Sequence, residues 1–330
     1  MKAILDDKIP YIKGEIERII PDSSYIPGGR IAASDVRDAD VLIVRTRTRC
    51  DKELLEGSQV RLIVTATIGH DHIDTEWCDS NGIEWRNCPG CNAGSVATYV
   101  RNALAVVRHR SSDTGLTRPT IGVIGHGHVG SKVAADSEQA GFRILCHDPL
   151  LGMDNLSRII DEADVITFHV PLTHTGEHPT YHMADKDFFR SLRRRPLIIN
   201  TSRGGIVDEE ALLSAMDEDL VSGCVIDTWE NEPAINRRLL QKALIATPHI
   251  AGYSADGKLN ATRMTLQTVA AWAGVTADLG NLARLHSELR RRLSPHCRIS
   301  PDTIISDSEL LKSRPHDFED FRGNYPQRVE

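Results

Sequence analysis

The sequence predicts an α/β protein built from two doubly wound parallel-sheet domains and a short C-terminal segment. Short runs rich in Val and Ile alternate with longer amphipathic stretches almost from end to end, which is the βαβ rhythm of parallel sheets. A polar loop with turn residues, SSDTGLTRP, divides these runs into two series. The length of 330 residues is about twice that of a typical single domain, so the chain can form more than one core.

The first series supplies the strands of the N-terminal domain. Apolar runs within the first ninety residues are separated by helix-like or turn-rich segments. A long helical pattern over 93–110 then leads into the polar loop, where we expect the chain to cross between domains. The predicted strands are KAILDD, DVLIVRT and RLIVTATIG, and the segments between or after them are IPYIKGEIERII, DKELLEG and DTEWCDSNG.

The second series predicts a doubly wound nucleotide-binding domain, because six strands follow one another with short connections: TIGVIG, FRILCHD, DVITFHV, PLIIN, SGCVIDTW and ALIATPH. A helical stretch then returns the chain to the first domain. The polar, arginine-rich remainder is too short for an independent core, so we expect it to pack on the body or on a partner subunit. The predicted boundaries are 1–95 with 253–275 for one domain, 96–252 for the other, and 276–330 for the C-terminal segment.

Composition and charge restrict the classes of function. A net charge of -7 and a pI near 6.1 favour solubility and argue against a general nucleic-acid or membrane surface. The start, MKAILDDKIPY, lacks the apolar core of a signal peptide, and no apolar run approaches the roughly 20 residues that span a bilayer. We therefore expect a cytoplasmic protein that binds neither nucleic acid nor membrane.

The seven cysteines are an odd number in a long chain, which indicates reduced thiols rather than a disulfide framework. Cys88 and Cys91 have the spacing of a redox motif, but a turn around Pro89 and Gly90 explains the same residues. No second pair at zinc-finger spacing completes a metal site. The sequence therefore predicts no bound metal.

A glycine pattern opens the second series. Gly125, Gly127 and Gly130 follow a predicted strand in the spacing G-x-G-x-x-G, and a helix begins with them. In this context the glycines permit a tight turn, a close approach to a pyrophosphate and close helix–strand packing. Asp148 ends the next strand, where its carboxylate would accept hydrogen bonds from ribose hydroxyls and repel a 2′-phosphate. NAD is therefore the expected cofactor.

His126 and His128 occupy the variable positions of this loop. We expect both to be solvated. If either lies over the pyrophosphate, its protonation would make cofactor affinity depend on pH between about 5 and 8.

Polar residues follow three later strands of the same series and should meet at its ligand crevice. Oxidising a hydroxyl by hydride loss needs a base for the hydroxyl proton, a cation for a substrate anion and often a carboxylate to orient the base. His249, Arg203 and Glu232 suit these three functions in turn. The segments NTSRGGIVD, SGCVIDTWENEP and TPHIAGY together supply Arg203, Asp227, Glu230, Glu232, His249 and Tyr253.

The segment VRTRTRC places Arg45, Arg47 and Arg49 at alternate positions. If it continues the strand, side chains two residues apart point the same way and the three guanidiniums form one cationic face. Such a face suits an anion, although a solvated strand end explains the spacing as well.

The combination GHGHVG, NTSRGGIVD, DTWENEP and PHIAGY resembles the D-isomer-specific 2-hydroxyacid dehydrogenases. Further motifs, DDKIPY, TATIGHDHID, PGCNAGSV, HIAGYSADGK and PHDFEDFRGNYPQR, resemble one subgroup of that family, and the resemblance spans nearly the whole chain. It implies a split, flavodoxin-like substrate domain, an inserted Rossmann NAD domain and a C-terminal dimerisation segment, hence a homodimer. It also implies NAD-dependent oxidation of 4-phospho-D-erythronate to (R)-3-hydroxy-2-oxo-4-phosphobutanoate, a step in making pyridoxal 5′-phosphate.

The resemblance also implies roles for individual residues. His249 corresponds to the proton acceptor, Glu232 to its partner and Arg203 to the residue that binds the substrate carboxylate. Because the substrate carries a phosphate as well, Arg45 and Arg47 are expected to bind that second anion. The remaining correspondences are cofactor contacts, at Asp148, Asp227 and Gly252, and substrate contacts, at Thr46, Thr67 and Tyr253.

Two other functions stay open at this point. A dehydrogenase acting on another D-2-hydroxy acid, such as glycerate or 3-phosphoglycerate, would share the chemical residues but not the subgroup motifs. A dinucleotide-sensing binding protein would keep the glycine loop without needing Arg203, Glu232 and His249. The intact set of three favours an enzyme.

Overall fold

The computed structural model describes residues 1–110, 118–293 and 298–330, apart from the side chains of 108–110. Within these ranges no helix is both long and apolar enough to cross a membrane. The strands are β1 Lys2–Asp6, β2 Asp22–Ile26, β3 Val41–Val44, β4 Leu62–Thr65, β5 Glu84–Arg86, β6 Thr120–Ile124, β7 Arg143–His147, β8 Val165–Phe168, β9 Leu197–Asn200, β10 Gly223–Ile226 and β11 Ile245–Ala246. The α-helices are α1 Ala33–Val36, α2 Lys52–Leu55, α3 Thr75–Ser80, α4 Ala93–Arg110, α5 His128–Gln139, α6 Leu156–Glu162, α7 Lys186–Ser191, α8 Glu209–Asp217, α9 Arg237–Lys242, α10 Ala255–Trp272, α11 Gly280–Leu293, α12 Pro301–Ser313 and α13 Phe318–Gly323.

The chain forms two compact units. The first unit consists of Met1–Asn92 and Ser254–His296, and the second unit consists of Ala93–Tyr253 and Cys297–Glu330. The second unit therefore interrupts the first along the sequence, as a split domain with an insertion requires. The first crossing, between Asn92 and Ala93, precedes α4 and does not lie in the polar loop after α4, where the sequence predicts it; most of that loop lies outside the described residues. The second crossing, between Tyr253 and Ser254, lies next to the predicted boundary at 252–253.

The described strands of the first unit form a parallel sheet in the order β2-β1-β3-β4-β5. This is the order of flavodoxin-like folds, in which the winding reverses at the pair β1/β3. The inner strands are apolar and almost wholly buried, whereas the edge strands β2 and β5 are largely accessible. Their mixed composition, DSSYI and EWR, explains why the sequence pattern predicts only the inner strands.

The described strands of the second unit form a parallel sheet in the order β11-β10-β9-β8-β6-β7, which confirms the predicted doubly wound fold. Each of the strand segments predicted in this series contains one of these strands. The winding reverses at the pair β6/β8, where this class of fold opens its ligand crevice beyond the carboxyl ends of the strands. Gly125, Asp148, Arg203, Asp227 and His249 all follow the carboxyl ends of strands of this sheet.

Side chains along the central strands alternate between two apolar cores, as the period of a strand requires. Ile166 and Phe168 of β8 lie in a core that includes residues of α6 to α9, whereas Val165 lies in a core that includes residues of α4 and α5. Helices therefore cover both faces of the sheet, and the strands are apolar on both faces.

The chain leaves the first sheet earlier than the sequence suggests. β3 ends at Val44, and residues 45–49 form a turn closed by the N–H of Thr48, which donates to the carbonyl of Arg45 at 3.2 Å. The Thr48 hydroxyl is buried and donates to the carbonyl of Gly28 at 2.9 Å. The expectation that the arginines share one strand face is therefore wrong, because this buried contact turns the chain out of the sheet.

The structure divides 276–330 between the two units instead of leaving it as one appendage. α11 contributes Leu282 to the core of the first unit, together with residues of β1, β3 and β4. α12 and α13 contribute Leu311 and Phe318 to a core of the second unit. The small apolar groups along this stretch thus belong to cores of both units, which explains why none of them predicts a core of its own.

Leu311 and Leu310 are neighbours on α12 with opposite surroundings, since Leu311 is fully buried and Leu310 is 42% exposed. We expect Leu311→Ala to lower the free energy of unfolding by about 2–5 kcal/mol, because it leaves a cavity in the core. Leu310→Ala makes the same change of helix propensity and should cost less than about 1 kcal/mol. Urea unfolding monitored by circular dichroism measures both costs; equal values would contradict the packing of α12 into this core.

Candidate active site

Two glycines shape the loop after β6, and the third leaves it open. A Cβ on Gly125, whose φ is +88°, would lie 2.7 Å from the carbonyl oxygen of His169. A Cβ on Gly130 would overlap the carbonyl of Gly125, so neither position accepts a side chain. Gly127 precedes α5, and no atom of the described residues lies within 4 Å of where its Cβ would be. An anion can therefore approach the backbone at the start of the helix.

Asp148 is held against the same loop, because the N–H of His126 donates to its Oδ2 at 2.8 Å. Leu150 and Leu151, which are 80% and 56% exposed, follow it where a 2′-phosphate would need a cation. Of the two loop histidines, His128 is exposed, whereas His126 has a buried Nδ1 with no hydrogen-bond partner among the described residues. The open helix start, the carboxylate and this unsatisfied nitrogen together fit a dinucleotide.

His249 and Glu232 form a hydrogen-bonded pair. The imidazole Nδ1 lies 2.9 Å from Oε2 of Glu232 and 3.1 Å from Oε1. The backbone of His249 has a φ of +56°, a region that few non-glycine residues adopt, and its N–H donates to the carbonyl of Asp227 at 2.8 Å. The side chain of His249 is 26% exposed, so part of the ring stays accessible to a reactant.

The environment of Glu232 favours its ionised form. Burial by itself raises the pKa of Glu232, but the charge and hydrogen bond of His249 act in the opposite direction. The N–H of Trp229 at 2.9 Å and the guanidinium of Arg322 at 3.3 Å add to that effect, and the net result is a lowered pKa. Arg322 is a contact that sequence reasoning missed, although it lies in the PHDFEDFRGNYPQR motif.

Asp227 is a carboxylate that is only 1% exposed, and both its oxygens accept hydrogen bonds. Oδ1 accepts from the Thr247 hydroxyl at 2.6 Å and from the N–H of Ile250 at 2.8 Å, and Oδ2 accepts from the N–H of Ala251 at 2.9 Å. Burial raises the pKa of Asp227, while the charge of His249 and these hydrogen bonds oppose the rise. Asp227 thus fixes the loop on which His249 lies.

Arg203 follows β9 in a loop organised by the amide of Asn200. The amide oxygen accepts from the N–H and hydroxyl of Ser202 at 3.1 and 2.9 Å, and the amide nitrogen donates to the carbonyl of Arg203 at 2.8 Å. A Cβ on Gly204 would overlap the carbonyl of Trp229, so this loop lies directly against the loop after β10. The candidate anion-binding guanidinium and the Glu232 loop are therefore neighbours in the second unit.

The other residues predicted at these strand ends have different surroundings. The ring of Tyr253 meets that of Tyr325 edge-on, with 6.4 Å between centroids, and Gly252 precedes it in the same loop. Glu230 binds His182 Nε2 at 2.8 Å. Glu230 therefore belongs to a separate acid–histidine contact and not to the His249 pair.

In the first unit, the predicted anion-binding residues lie on the turn after β3. Arg45 is paired through its Nε, at 3.2 Å, with the carboxylate of Asp6, which is 1% exposed at the end of β1. Thr46 and Arg47 are exposed on the same turn. The three residues thus lie beyond the pair β1/β3, where the winding of this sheet reverses.

Arg49 and Thr67, two further residues of the first unit that the sequence singles out, make local contacts. The guanidinium of Arg49 is 85% exposed and lies 2.8 Å from the carboxylate of Asp51. The Thr67 hydroxyl, after β4, donates to the carbonyl of Gly69 at 2.8 Å and lies 2.7 Å from that of Thr65. The loop geometry thus orients the Thr67 hydroxyl, and Arg49 serves a local ion pair.

Cys88 and Cys91 are buried thiols in a turn, which the N–H of Cys91 closes by donating to the carbonyl of Cys88 at 3.3 Å. Burial raises the pKa of the Cys88 thiol, and its Sγ donates to the carbonyl of Ala261 at 3.3 Å. Among the described residues, no group of three or more His, Cys, Asp and Glu side chains is arranged to hold a metal ion.

Glu209 is a buried acid at the start of α8, 6% exposed, which accepts a hydrogen bond from the N–H of Glu230 at 2.8 Å. The pKa of Glu209 is raised to about 7. Burial is the largest cause, and the charges of Glu230, Glu210 and Glu232 act in the same direction. The pKa values of Glu209 and Glu232 are therefore shifted in opposite directions, although the charge of Glu232 contributes to the rise at Glu209.

The second unit matches the family described as "D-isomer specific 2-hydroxyacid dehydrogenase, NAD binding domain" over residues 93–251. Among curated proteins, the chain is 48% identical to the erythronate-4-phosphate dehydrogenase of Bacteroides thetaiotaomicron, over 100% of this chain and 97% of that protein. The Escherichia coli protein of the same name is 33% identical, over 100% of this chain and 92% of that protein.

Solved structures with the same fold carry NAD. The NAD-bound 3-phosphoglycerate dehydrogenase of Entamoeba histolytica has a TM-score of 0.68 and 26% identity, covering 82% of this chain and 94% of its own. The D-lactate dehydrogenase of Aquifex aeolicus, complexed with NAD and lactic acid, has a TM-score of 0.67 and 24% identity, covering 87% of this chain and 98% of its own. Both likenesses support the fold class, and the matched NAD binding domain together with the 3-phosphoglycerate dehydrogenase supports the cofactor expected from the sequence.

The glycine loop allows a test that separates folding from cofactor binding. Gly127→Ala introduces a methyl group into open space, so we expect the free energy of unfolding to change by less than about 0.5 kcal/mol and NADH affinity to fall. Gly130→Ala forces the methyl group against the Gly125 carbonyl and should cost at least about 2 kcal/mol. Fluorescence titration with NADH and urea unfolding measure the two quantities. If Gly127→Ala bound NADH as tightly as the wild type, the backbone there would not face the cofactor.

Glu209 makes folding stability depend on pH in a defined direction. The pKa of Glu209 in the folded protein is raised from 4.5 to about 7. The contribution of its protonated form to folding stability is therefore fully present below pH 4.5 and is lost as pH rises through about 7. Glu209→Gln mimics the neutral form and should be more stable than the wild type by roughly 1–3 kcal/mol at pH 8, with little difference at pH 4.5. Urea unfolding at both pH values tests this; an equal difference at both would show that ionisation of Glu209 is not the cause.

Proposed function

This chain belongs to the erythronate-4-phosphate dehydrogenases, within the D-isomer-specific 2-hydroxyacid dehydrogenase family, and we propose that it oxidises 4-phospho-D-erythronate with NAD. The product is (R)-3-hydroxy-2-oxo-4-phosphobutanoate, an intermediate of vitamin B6 biosynthesis. The observation that carries the proposal is the His249–Glu232 pair at 2.9 Å, in the same unit as the glycine loop. A sensing protein would not need such a pair.

His249 acts as the proton acceptor through its Nε2. Because the ionised Glu232 can only accept hydrogen bonds, the hydrogen between the two side chains belongs to Nδ1 of His249. Nε2 of the neutral ring therefore has a free lone pair for the proton of the substrate hydroxyl. As that proton arrives, the ring becomes positively charged, and the carboxylate 2.9 Å away stabilises the charge.

NAD, when bound, supplies the acceptor for the hydride from the second carbon of the substrate. The residues that would hold it are those of the glycine loop, Gly125, Gly127 and Gly130, and the ribose carboxylate, Asp148. Asp227 and Gly252 are proposed to lie near the nicotinamide. Support for this set comes from the open backbone at Gly127 and from the N–H of His126, which orients Asp148.

The substrate has an anion at each end, and the proposal assigns one cationic group to each. Arg203 binds the carboxylate, because its loop packs against the loop that leads to Glu232. Arg45 and Arg47 bind the phosphate, and Thr46, with Thr67 and Tyr253, contributes hydroxyl contacts. The turn after β3 supports this assignment, since it presents Thr46 and Arg47 to the exterior at the reversal point of the first sheet.

We also propose that the functional form is a homodimer in the cytoplasm. The family resemblance of the C-terminal segment favours dimerisation. The leucine at 310 is exposed on α12 and is available for such an interface. Size-exclusion chromatography with light scattering would decide between monomer and dimer.

NADH absorbance at equal concentrations of 4-phospho-D-erythronate, erythronate, D-glycerate and 3-phosphoglycerate tests the activity. We expect the highest kcat/KM with 4-phospho-D-erythronate, because it is the one acid of the four that carries an anion at each end of a four-carbon chain.

The rate of oxidation should rise with pH between about 5 and 8, since a neutral histidine is required. His249→Asn should lose at least about a hundredfold in kcat.

His178→Asn is the matched control, because His178 is exposed on the same unit and forms an ion pair with the neighbouring Glu177. It should keep wild-type kcat. Preference for glycerate or 3-phosphoglycerate would retain the mechanism and overturn the substrate. Tight NADH binding without turnover of any of the four acids would favour a sensing protein.

A further inference from the structure

The segment 318–330, here called the terminal segment, contains α13 and the residues after it. It belongs to the PHDFEDFRGNYPQR motif, to which the chemistry above assigns no function. Two of its arginines reach the candidate catalytic pair or the loop that carries it. Arg322 is 23% exposed at its side chain, and Arg328 is only 5% exposed, so neither is an ordinary surface cation.

Arg322 contacts the carboxylate that orients His249. Its Nη1 lies 3.3 Å from Oε2 of Glu232, the same oxygen that lies 2.9 Å from Nδ1 of His249. Oε1 of Glu232 is occupied by the N–H of Trp229 at 2.9 Å. The carboxylate is therefore held between a backbone donor, the imidazole and a guanidinium, which together restrict its rotation.

Arg328 binds the same loop after His249 that Asp227 binds. Its Nε donates to the carbonyl of Tyr253 at 2.7 Å, and its Nη2 donates to the carbonyl of Ile250. Asp227 accepts from the N–H groups of Ile250 and Ala251 in the same loop. The carbonyls and the amide hydrogens of one short loop are thus bound by two different buried charges.

Such a double restraint has a physical reason. His249 has a φ of +56°, which costs free energy for a residue with a Cβ and persists only where the surroundings enforce it. Arg328 is itself fixed by the hydroxyl of Tyr325 at 3.0 Å and by the face of that ring at 4.9 Å. The terminal segment is therefore a rigid support for the strained loop and not a loosely attached tail.

From this geometry we propose that the terminal segment is a positioning element of the reaction. In it, Arg322 orients the Glu232 carboxylate and partly neutralises the negative charge that this carboxylate presents to His249. Arg322 is a positioning residue, because it acts through Glu232 and touches no reacting atom. Its positive charge offsets part of the negative charge of Glu232, which limits how strongly the pair holds a proton on the imidazole. The kinetic part of this inference rests on the proposed function.

The charged groups around the pair define the direction of the effect. The charges of Glu232 and Asp227 both interact with the charge of His249, and the charge of Arg322 interacts with Glu232. Glu319 lies 3.9 Å from Arg322 on the same helix, and Glu209 interacts with Glu232 from α8. Removing the Arg322 charge leaves the negative charge of Glu232 less compensated next to His249, so the neutral base should form at higher pH. Asp307 is a further acid near this loop; it interacts with Tyr325 and Arg328 and with the charge of Asp227.

Arg322→Gln and Arg322→Lys test the proposal in the full chain. For Arg322→Gln we expect the midpoint of the pH profile of kcat/KM to move upward by about half to one pH unit, with a loss of roughly three- to tenfold at pH 6. The rates of variant and wild type should converge at high pH. Arg322→Lys keeps the charge and should restore most of the wild-type midpoint.

A second readout does not depend on the substrate. Titration of the His249 ring by NMR, assigned through His249→Asn, should show the same upward shift in Arg322→Gln without any hydroxy acid present. In a Glu232→Gln background, Arg322→Gln should have no further effect, because the proposed action passes through that carboxylate. Arg195→Gln, which removes an exposed arginine that pairs with Asp219 on the same unit, should leave both readouts unchanged.

The outcomes separate this inference from the proposed function. An unchanged NMR titration in folded Arg322→Gln, verified by an unchanged melting temperature, overturns the positioning role whatever the substrate is. A shifted titration without turnover of any acid supports the positioning role and rejects the proposed activity. A lower rate with the same shape at every pH would mean that Arg322 acts only on structure, which also overturns the proposal.

Discussion

The buried carboxylate of Asp227 is the interaction on which the geometry of the candidate site depends. A carboxylate in an apolar interior is costly unless donors satisfy it, and Asp227 receives the Thr247 hydroxyl and two backbone N–H groups. Tyr99 extends this network from α4, with its hydroxyl 2.6 Å from that of Thr247. Because the carbonyl of Asp227 also accepts from the N–H of His249, one residue binds three successive backbone N–H groups that begin at the histidine.

The acids near the pair show how surroundings separate similar side chains. Burial acts on both Glu209 and Glu232 in the same direction, towards the neutral form. Glu232 has His249 and Arg322 as cationic neighbours and is shifted towards the charged form, whereas the neighbours that act on Glu209 among the described residues are a backbone donor and other acids. Cationic partners, rather than depth of burial, therefore decide which acid carries charge near neutral pH.

Sequence reasoning succeeded where the information is local or follows from sheet topology. Residues at the carboxyl ends of parallel strands meet at one edge, so Arg203, Asp227 and His249 could be grouped without coordinates. It failed at VRTRTRC, because an alternating pattern predicts one face only while the strand continues, and the buried contact of Thr48 with Gly28 ends it. That contact joins residues 20 positions apart and leaves no periodic signal.

The sequence by itself determined the fold class and predicted the glycine loop and the residues proposed for the chemistry, because strand periodicity and glycine spacing are short-range patterns with a direct steric cause. Only the tertiary structure decided what supports those residues. Arg322 and Glu232 are 90 positions apart, and Arg328 reaches Ile250 across 78, so no local pattern encodes either contact. The same is true of 276–330, whose apolar groups were recognisable in the sequence but whose division among the cores of the two units depends on which surfaces the folded units leave uncovered.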